Sequence, residues 1–332
     1  MDKEVNILGG GISGLACAII LQKNGYHVNV YEKKHSVGTR FNNDWQAIEN
    51  WSEKNNVMKE IESYCIDLSF DHEPICDLNL HYSNKIRTIQ VKDSCYLVKR
   101  GDTEGCLDIS LLEQAKRSGV NIHFGSNPDQ RIPVHINATG PKAASALVTG
   151  IKFSTNHENS YHMAFGGEIA KGFYSYLLIK DGYGTIATVF NRKQAHLSEN
   201  YIQNTIKCFS NYINEEELAA GRKFGGYGNF EIKRSLYAED GAMLIGEAAG
   251  FQDYLWGFGM RYAFQSANFA ARSIMFGESY DELIKKNLLK KMKHSKRNRS
   301  FFENMGALAY PLAYYSLGLS KDPLKLLNIV YR

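Results

Sequence analysis

Residues 5–20 read VNILGGGISGLACAII, and no other stretch limits the possible fold as strongly. An apolar run ends at Leu8, glycines follow, and an apolar helical pattern resumes at Leu15, which predicts a buried strand, a tight turn and a helix. Gly9, Gly11 and Gly14 have the spacing of a dinucleotide loop, and Ser13 falls between the last two. In such a loop the first glycine makes the turn, the second lets backbone approach a pyrophosphate, and the third lets helix and strand pack closely. The exposed N–H groups and the helix dipole then hold the anion. A second alternating segment, YHVNVYEKK, contains Glu32 and Lys33, and Glu32 lies 18 positions beyond Gly14, where a carboxylate accepts from a ribose hydroxyl. A merely structural turn would need neither the strand before it nor the acid after it.

A second glycine-rich segment decides between dinucleotides. GAMLIGEAAGFQDYLWGFGMRYAFQSANFAARSI begins with an apolar strand, Ala242 to Ile245, breaks at Gly246 to Gly250, and continues into a helical pattern after Gly257 and Gly259. A simple nicotinamide domain needs no such loop, whereas an extended FAD must also be held at its ribityl chain and flavin end. These residues resemble the second FAD motif of flavoproteins with the para-hydroxybenzoate hydroxylase fold, and within that superfamily the chain is similar to the geranylgeranyl reductase family. The resemblance implies that Gly246 and Glu247 hold the ribityl or pyrophosphate region, with Glu247 where the family more often has Asp. It also implies that Gly257, Gly259 and Met260 form the turn at the flavin end, opening a helix whose positive end would face the flavin.

Two further segments extend the resemblance. CYLVKRGDTEGCLDISLLEQAKRSGVNIHFGS is similar to the family's strand, arginine, helix and strand unit. It implies that Arg100 lies near the FAD, the alternative being a surface arginine at a strand end, while Asp108 is expected to cap a helix from Ile109 to Arg117. VHINATG reads as a strand closing at Thr139 and Gly140, similar to the family's passage beside the adenosine. Many relatives have Asp before that glycine. Thr139 therefore gives no support to NADPH binding through such an acid.

The segment GTRFNNDWQAIENWS is rich in polar and aromatic residues. Arg40 is a candidate for the cofactor phosphates or the flavin edge, with a solvated loop cation as the alternative. Phe41, Trp45, Trp51 and Trp256 are candidates for a substrate pocket, with core packing as the alternative.

The order of these motifs predicts an α/β chain: a Rossmann-type FAD-binding domain with an antiparallel-sheet substrate lobe and a helical C-terminal segment. The expected FAD domain is discontinuous, comprising 1–50, 95–150 and 230–275, with a substrate lobe of 51–94 and 151–229 and a helical segment of 276–332. FGGEIAKGFYSYLLIKDGYGTIATVF alternates apolar and aromatic residues between glycines, as antiparallel strands do. In the tail, lysines and arginines crowd residues 285–299 before an aromatic segment around Pro311. That order suits either a peripheral contact with an anionic membrane or helices packed on the FAD domain.

The net charge of +4 over 332 residues gives no reason to expect nucleic acid. The six cysteines include no CxxC pair, so neither a metal site nor a disulfide framework is indicated, and reduced thiols fit a cytoplasmic protein, with the inner face of the membrane as its one alternative. No secretory signal or spanning segment is expected.

The expected function is reduction of carbon-carbon double bonds in a hydrophobic, isoprenoid or lipid-like substrate by hydride from reduced FAD. The electron donor, NAD(P)H or ferredoxin, is left open, and no catalytic residue is assigned. A flavin-dependent monooxygenase and a non-catalytic FAD-binding or membrane-associated scaffold are the alternatives.

Overall fold

The computed structural model describes residues 3–92 and 94–331. Its first sheet is wholly parallel, with the strands Met243–Leu244, Ile136–Asn137, Glu4–Leu8, His27–Glu32 and Asn121–Phe124 side by side in that order. Parallel neighbours need a long crossover, and the helix Ile12–Lys23 supplies the first of them. Its residues Ile12 to Leu21 are all buried, which is why it is apolar on every side rather than amphipathic. The helix stops at Asn24, before Gly25 at φ +81°. The long helix Met260–Phe276 packs within the same apolar core and ends at Gly277, a left-handed cap.

A seven-stranded sheet forms the second lobe. Its order is Arg222–Gly228, Ala146–Ser154, Tyr183–Asn191, Ser175–Lys180, Ser160–Phe165, Asp77–Tyr82 and Lys85–Gln90. The hairpin at 175–191 turns through Asp181 and Gly182, both at positive φ, as a two-residue turn matched to strand twist requires. The lobe is not antiparallel throughout. Ser160–Phe165 pairs in parallel with Asp77–Tyr82, and the intervening chain, which visits the first sheet, is the long crossover that permits this. The strand Ala146–Ser154 also runs across the expected border at 150. A small antiparallel sheet of Asp44–Glu49, Cys95–Arg100 and His72–Pro74 lies between the two lobes in sequence.

The tail is helical over Tyr280–Ile284, Lys285–Leu289, Lys290–Asn304, Ala309–Leu319 and Pro323–Tyr331. The basic helix is anchored by Ser295, whose hydroxyl donates to buried Asp253 and accepts from the N–H groups of Tyr254 and Leu255 at 2.9 and 3.1 Å. Its lysines at 290, 293 and 296 are exposed on the other side. Among the described residues, no helix is long and apolar enough to cross a membrane.

On the sheet face away from the tail, buried His81 and His162 meet at 3.0 Å under Phe209 and Tyr212. Burial lowers the His81 pKa from 6.5 to about 4, and burial followed by the neighbouring His81 lowers that of His162 to about 3. Unfolded histidines take up protons as the pH falls through 6.5, whereas the folded pair stays neutral until about 4. The contribution is therefore intact above 6.5 and is lost on acidification below it. The urea midpoint should fall between about pH 7 and pH 5, and a His81→Phe, His162→Leu double variant should flatten that slope. An equal slope in both proteins would refute this assignment.

Candidate active site

The three glycines of the first loop do different work. A Cβ on Gly9, at φ +106°, would stand 2.5 Å from the Ala138 carbonyl oxygen, and one on Gly14 would stand 2.0 Å from the Gly9 carbonyl oxygen. These two are required by the chain itself. Gly11 is not: its φ and ψ of −80° and −176° suit any residue, and a Cβ there would meet nothing within 4 Å. It opens onto a cavity of about 790 Å³ at the start of the helix Ile12–Lys23, whose first turn has neither a side-chain cap nor an acid. The Glu32 carboxylate accepts from the N–H groups of Gly10 at 2.8 Å and Lys34 at 2.9 Å, fixing the loop against the second strand. Glu32, Lys33, Ser13, Thr139 and Gly140 also border the cavity.

The second motif meets the first directly. A Cβ on Gly246, at φ +57°, would stand 2.6 Å from Ser13 Oγ, and the Gly246 N–H donates to Ser266 Oγ at 2.9 Å. Gly246 is absent from the cavity wall and serves this close approach, whereas its neighbour Glu247 faces the cavity. Arg40 and Glu247, separated by 207 positions, form an ion pair at 3.0 Å, and Arg40 also donates to the Tyr227 carbonyl. At the far end, Gly257, Gly259 and Met260 border the cavity where the helix Met260–Phe276 begins, again without a side-chain cap. Gln252 donates to the Gly257 carbonyl at 2.6 Å and leaves its own Oε1 buried without a partner among the described residues.

Arg100 is only 6% exposed, so it is not a surface arginine. Its guanidinium donates twice to Asp108, at 2.8 and 2.9 Å, and lies 4.0 Å from the centre of the Phe41 ring. Burial pulls its pKa down, but Asp108 together with Asp44 and Glu247 outweighs burial, raising the pKa and keeping the group charged. The expected cap is thereby corrected. The helix is Leu107–Arg117, Cys106 stands at its N-cap, and Asp108 inside the first turn is drawn to the buried cation instead.

Phe41, Trp51 and Trp256 line the cavity. Trp51 meets Phe258 edge to face at 4.9 Å, and the indole N–H groups of Trp51 and Trp256 are buried without an acceptor among the described residues. Trp45 does not line the cavity; it is 6% exposed, with the Lys180 ammonium 5.0 Å from its ring.

Part of the wall is apolar, with Ile75, then Leu78, Ile89 and Leu178 from the seven-stranded sheet and Leu317 and Leu327 from the tail. Sequence reasoning missed these residues, because leucines and isoleucines in strands read alike whether they face a core or a cavity. It also missed Gly225, Gly226 and Gly228 on the cavity wall, although glycines in a strand are a signal of close ligand approach.

The residues present fit an extended dinucleotide such as FAD. The open space at Gly11 leaves room for an anion at the helix start, Glu32 borders the cavity beside the loop, and the volume lies within the ~300–1,000 Å³ of small-molecule sites. Residues 7–48 match the family described as an NAD(P)-binding Rossmann-like domain. No match is found among curated proteins. Among solved structures, the chain is similar to a geranylgeranyl bacteriochlorophyll reductase-like protein from Thermoplasma acidophilum, at TM-score 0.62 and 16% identity over 99% of this chain and 90% of that one. It is similar to a flavoprotein/dehydrogenase from Cytophaga hutchinsonii, at TM-score 0.68 and 13% identity over 98% and 91%. A probable FAD-dependent monooxygenase from Pseudomonas aeruginosa matches at TM-score 0.57 and 14% identity over 99% of both chains. The chain has the fold shared by these flavoproteins.

Proposed function

We propose that the chain is an FAD-dependent oxidoreductase that saturates carbon-carbon double bonds of a hydrophobic, isoprenoid or lipid-like substrate. The observation that carries the cofactor is the open space at Gly11, a glycine that neither backbone angle nor packing demands. The N–H groups of the loop and of the first helical turn would hold the pyrophosphate, and Glu32 would accept from the ribose. Gly257, Gly259 and Met260 would hold the flavin end.

The substrate class is supported by the apolar part of the same cavity's wall. Ile75, Leu78, Ile89 and Leu178 exclude water and orient a chain by shape. FAD bound there, once reduced by a nicotinamide nucleotide or a ferredoxin, supplies a hydride to one alkene carbon while a proton from water reaches the other.

The test is anaerobic. The purified protein, reconstituted with FAD and reduced with dithionite, is mixed with a geranylgeranyl lipid. The oxidised flavin spectrum should return without oxygen, and mass spectrometry should find a lipid that has gained two hydrogens. Return only on admitting oxygen, with a hydroxylated product, would replace the reductase by a monooxygenase. Failure to bind FAD at all would remove the cofactor reading.

A further inference from the structure

The helix Ala309–Leu319 has two unlike faces. Inward, Tyr310 and Tyr314 are buried and Leu317 borders the cavity. Outward, where a solvated helix carries polar residues, Leu308 just before it, then Leu312, Tyr315 and Leu319, are 69, 46, 36 and 66% exposed. Steps of four, three and four align them in one stripe.

The adjoining hairpin of Asp77–Tyr82 and Lys85–Gln90 packs against this helix. Its Lys85 donates to the Tyr315 hydroxyl at 2.6 Å and its Arg87 to the Gly318 carbonyl at 2.7 Å. Lys321 and Lys325 follow the stripe in sequence. Between 305 and 325 the one acid is Asp322, which accepts from the Lys325 N–H at 2.8 Å.

We propose that this stripe is the surface on which the protein rests on an anionic lipid bilayer, with the helix Ala309–Leu319 lying in the interface. Charge complementarity selects the occupant. A second copy related by a two-fold axis would set the cation-rimmed patch against itself, whereas anionic headgroups would meet the cations as the leucines enter the acyl boundary. The cavity lies behind the same helix. Leu317 on that helix and Pro323 and Leu327 on the next are part of its wall, so an apolar ligand leaving the bilayer has a single helical layer to pass. The lysine-rich run at 285–299 is a separate feature, on a helix packed through Met292, Ser295 and Arg299.

Flotation of the purified full-length chain tests this without turnover, so its result is independent of the redox chemistry. Vesicles of phosphatidylcholine mixed with phosphatidylglycerol should carry the protein upward, and vesicles of phosphatidylcholine alone should carry much less. Leu312→Glu with Leu319→Glu, both at exposed positions, should weaken partition on the order of tenfold or more, with unchanged thermal unfolding and circular dichroism. Lys321→Glu with Lys325→Glu should reduce only the anionic preference. No flotation of the parent chain, or equal flotation of the leucine variant, would overturn the proposal. So would a concentration-dependent dimer in sedimentation that the leucine variant abolishes while flotation is unaffected.

Discussion

Gly11→Val is expected to yield a folded protein that purifies without flavin. The backbone at Gly11 lies in a region open to every residue, and the new side chain would extend into the cavity rather than into protein. The cost therefore falls on the ligand. Valine methyls would occupy the space through which a pyrophosphate reaches the N–H groups of the helix Ile12–Lys23, removing charge-assisted hydrogen bonds worth about 1.5–3 kcal/mol each. Losing about 3 kcal/mol weakens binding on the order of 100-fold. Calorimetric titration with FAD measures this directly. The thermal midpoint separates it from misfolding: the variant should melt where the flavin-free parent melts, having lost only the stabilisation that ligand binding adds. Gly14→Val is the contrasting case, because its Cβ would stand 2.0 Å from a backbone oxygen and the helix must shift. Wild-type flavin affinity in Gly11→Val would remove the loop from the cofactor site.

That contrast shows why the glycine motifs were legible in the sequence. The positive φ at Gly9 and Gly246 and the close approach of Gly14 to the Gly9 carbonyl are local demands that favour one residue type, so spacing alone discloses the turn and the close helix packing. The same holds for the buried helix after the loop, where ten successive residues from Ile12 to Leu21 are buried. Pairings across the chain left no such mark. Nothing in Arg40 or Glu247 announces a partner 207 positions away, and Asp108 has the composition of a helix cap although a buried arginine claims it. The parallel pairing of Asp77–Tyr82 with Ser160–Phe165 was equally hidden, since alternation specifies a strand but not its neighbour. In the tail, hydrophobicity was evident but its direction was not. Leu317 faces the cavity and Leu319 faces outward, two positions apart on one helix.

Asp108→Ala should strongly destabilise the fold. The carboxylate accepts two hydrogen bonds from Arg100 and a third from the Gly101 N–H at 3.1 Å, and both charged side chains are nearly inaccessible, at 8% and 3%. Removing one member of a buried pair strands the other, at a cost of about 3–5 kcal/mol. Urea unfolding should show a lower midpoint with little change in slope. Replacing both members by apolar side chains of similar length, Arg100→Met together with Asp108→Leu, should recover most of that stability because no charge is then left unpaired. Flavin affinity separates the two roles left open for Arg100. The guanidinium lies on Phe41, which borders the cavity, so a positioning role predicts that the double variant regains stability but holds flavin more weakly. A double variant restored in both respects would make the pair purely structural. If Asp108→Ala lost less than about 1 kcal/mol, the pair would be behaving like an exposed salt bridge, contrary to its burial.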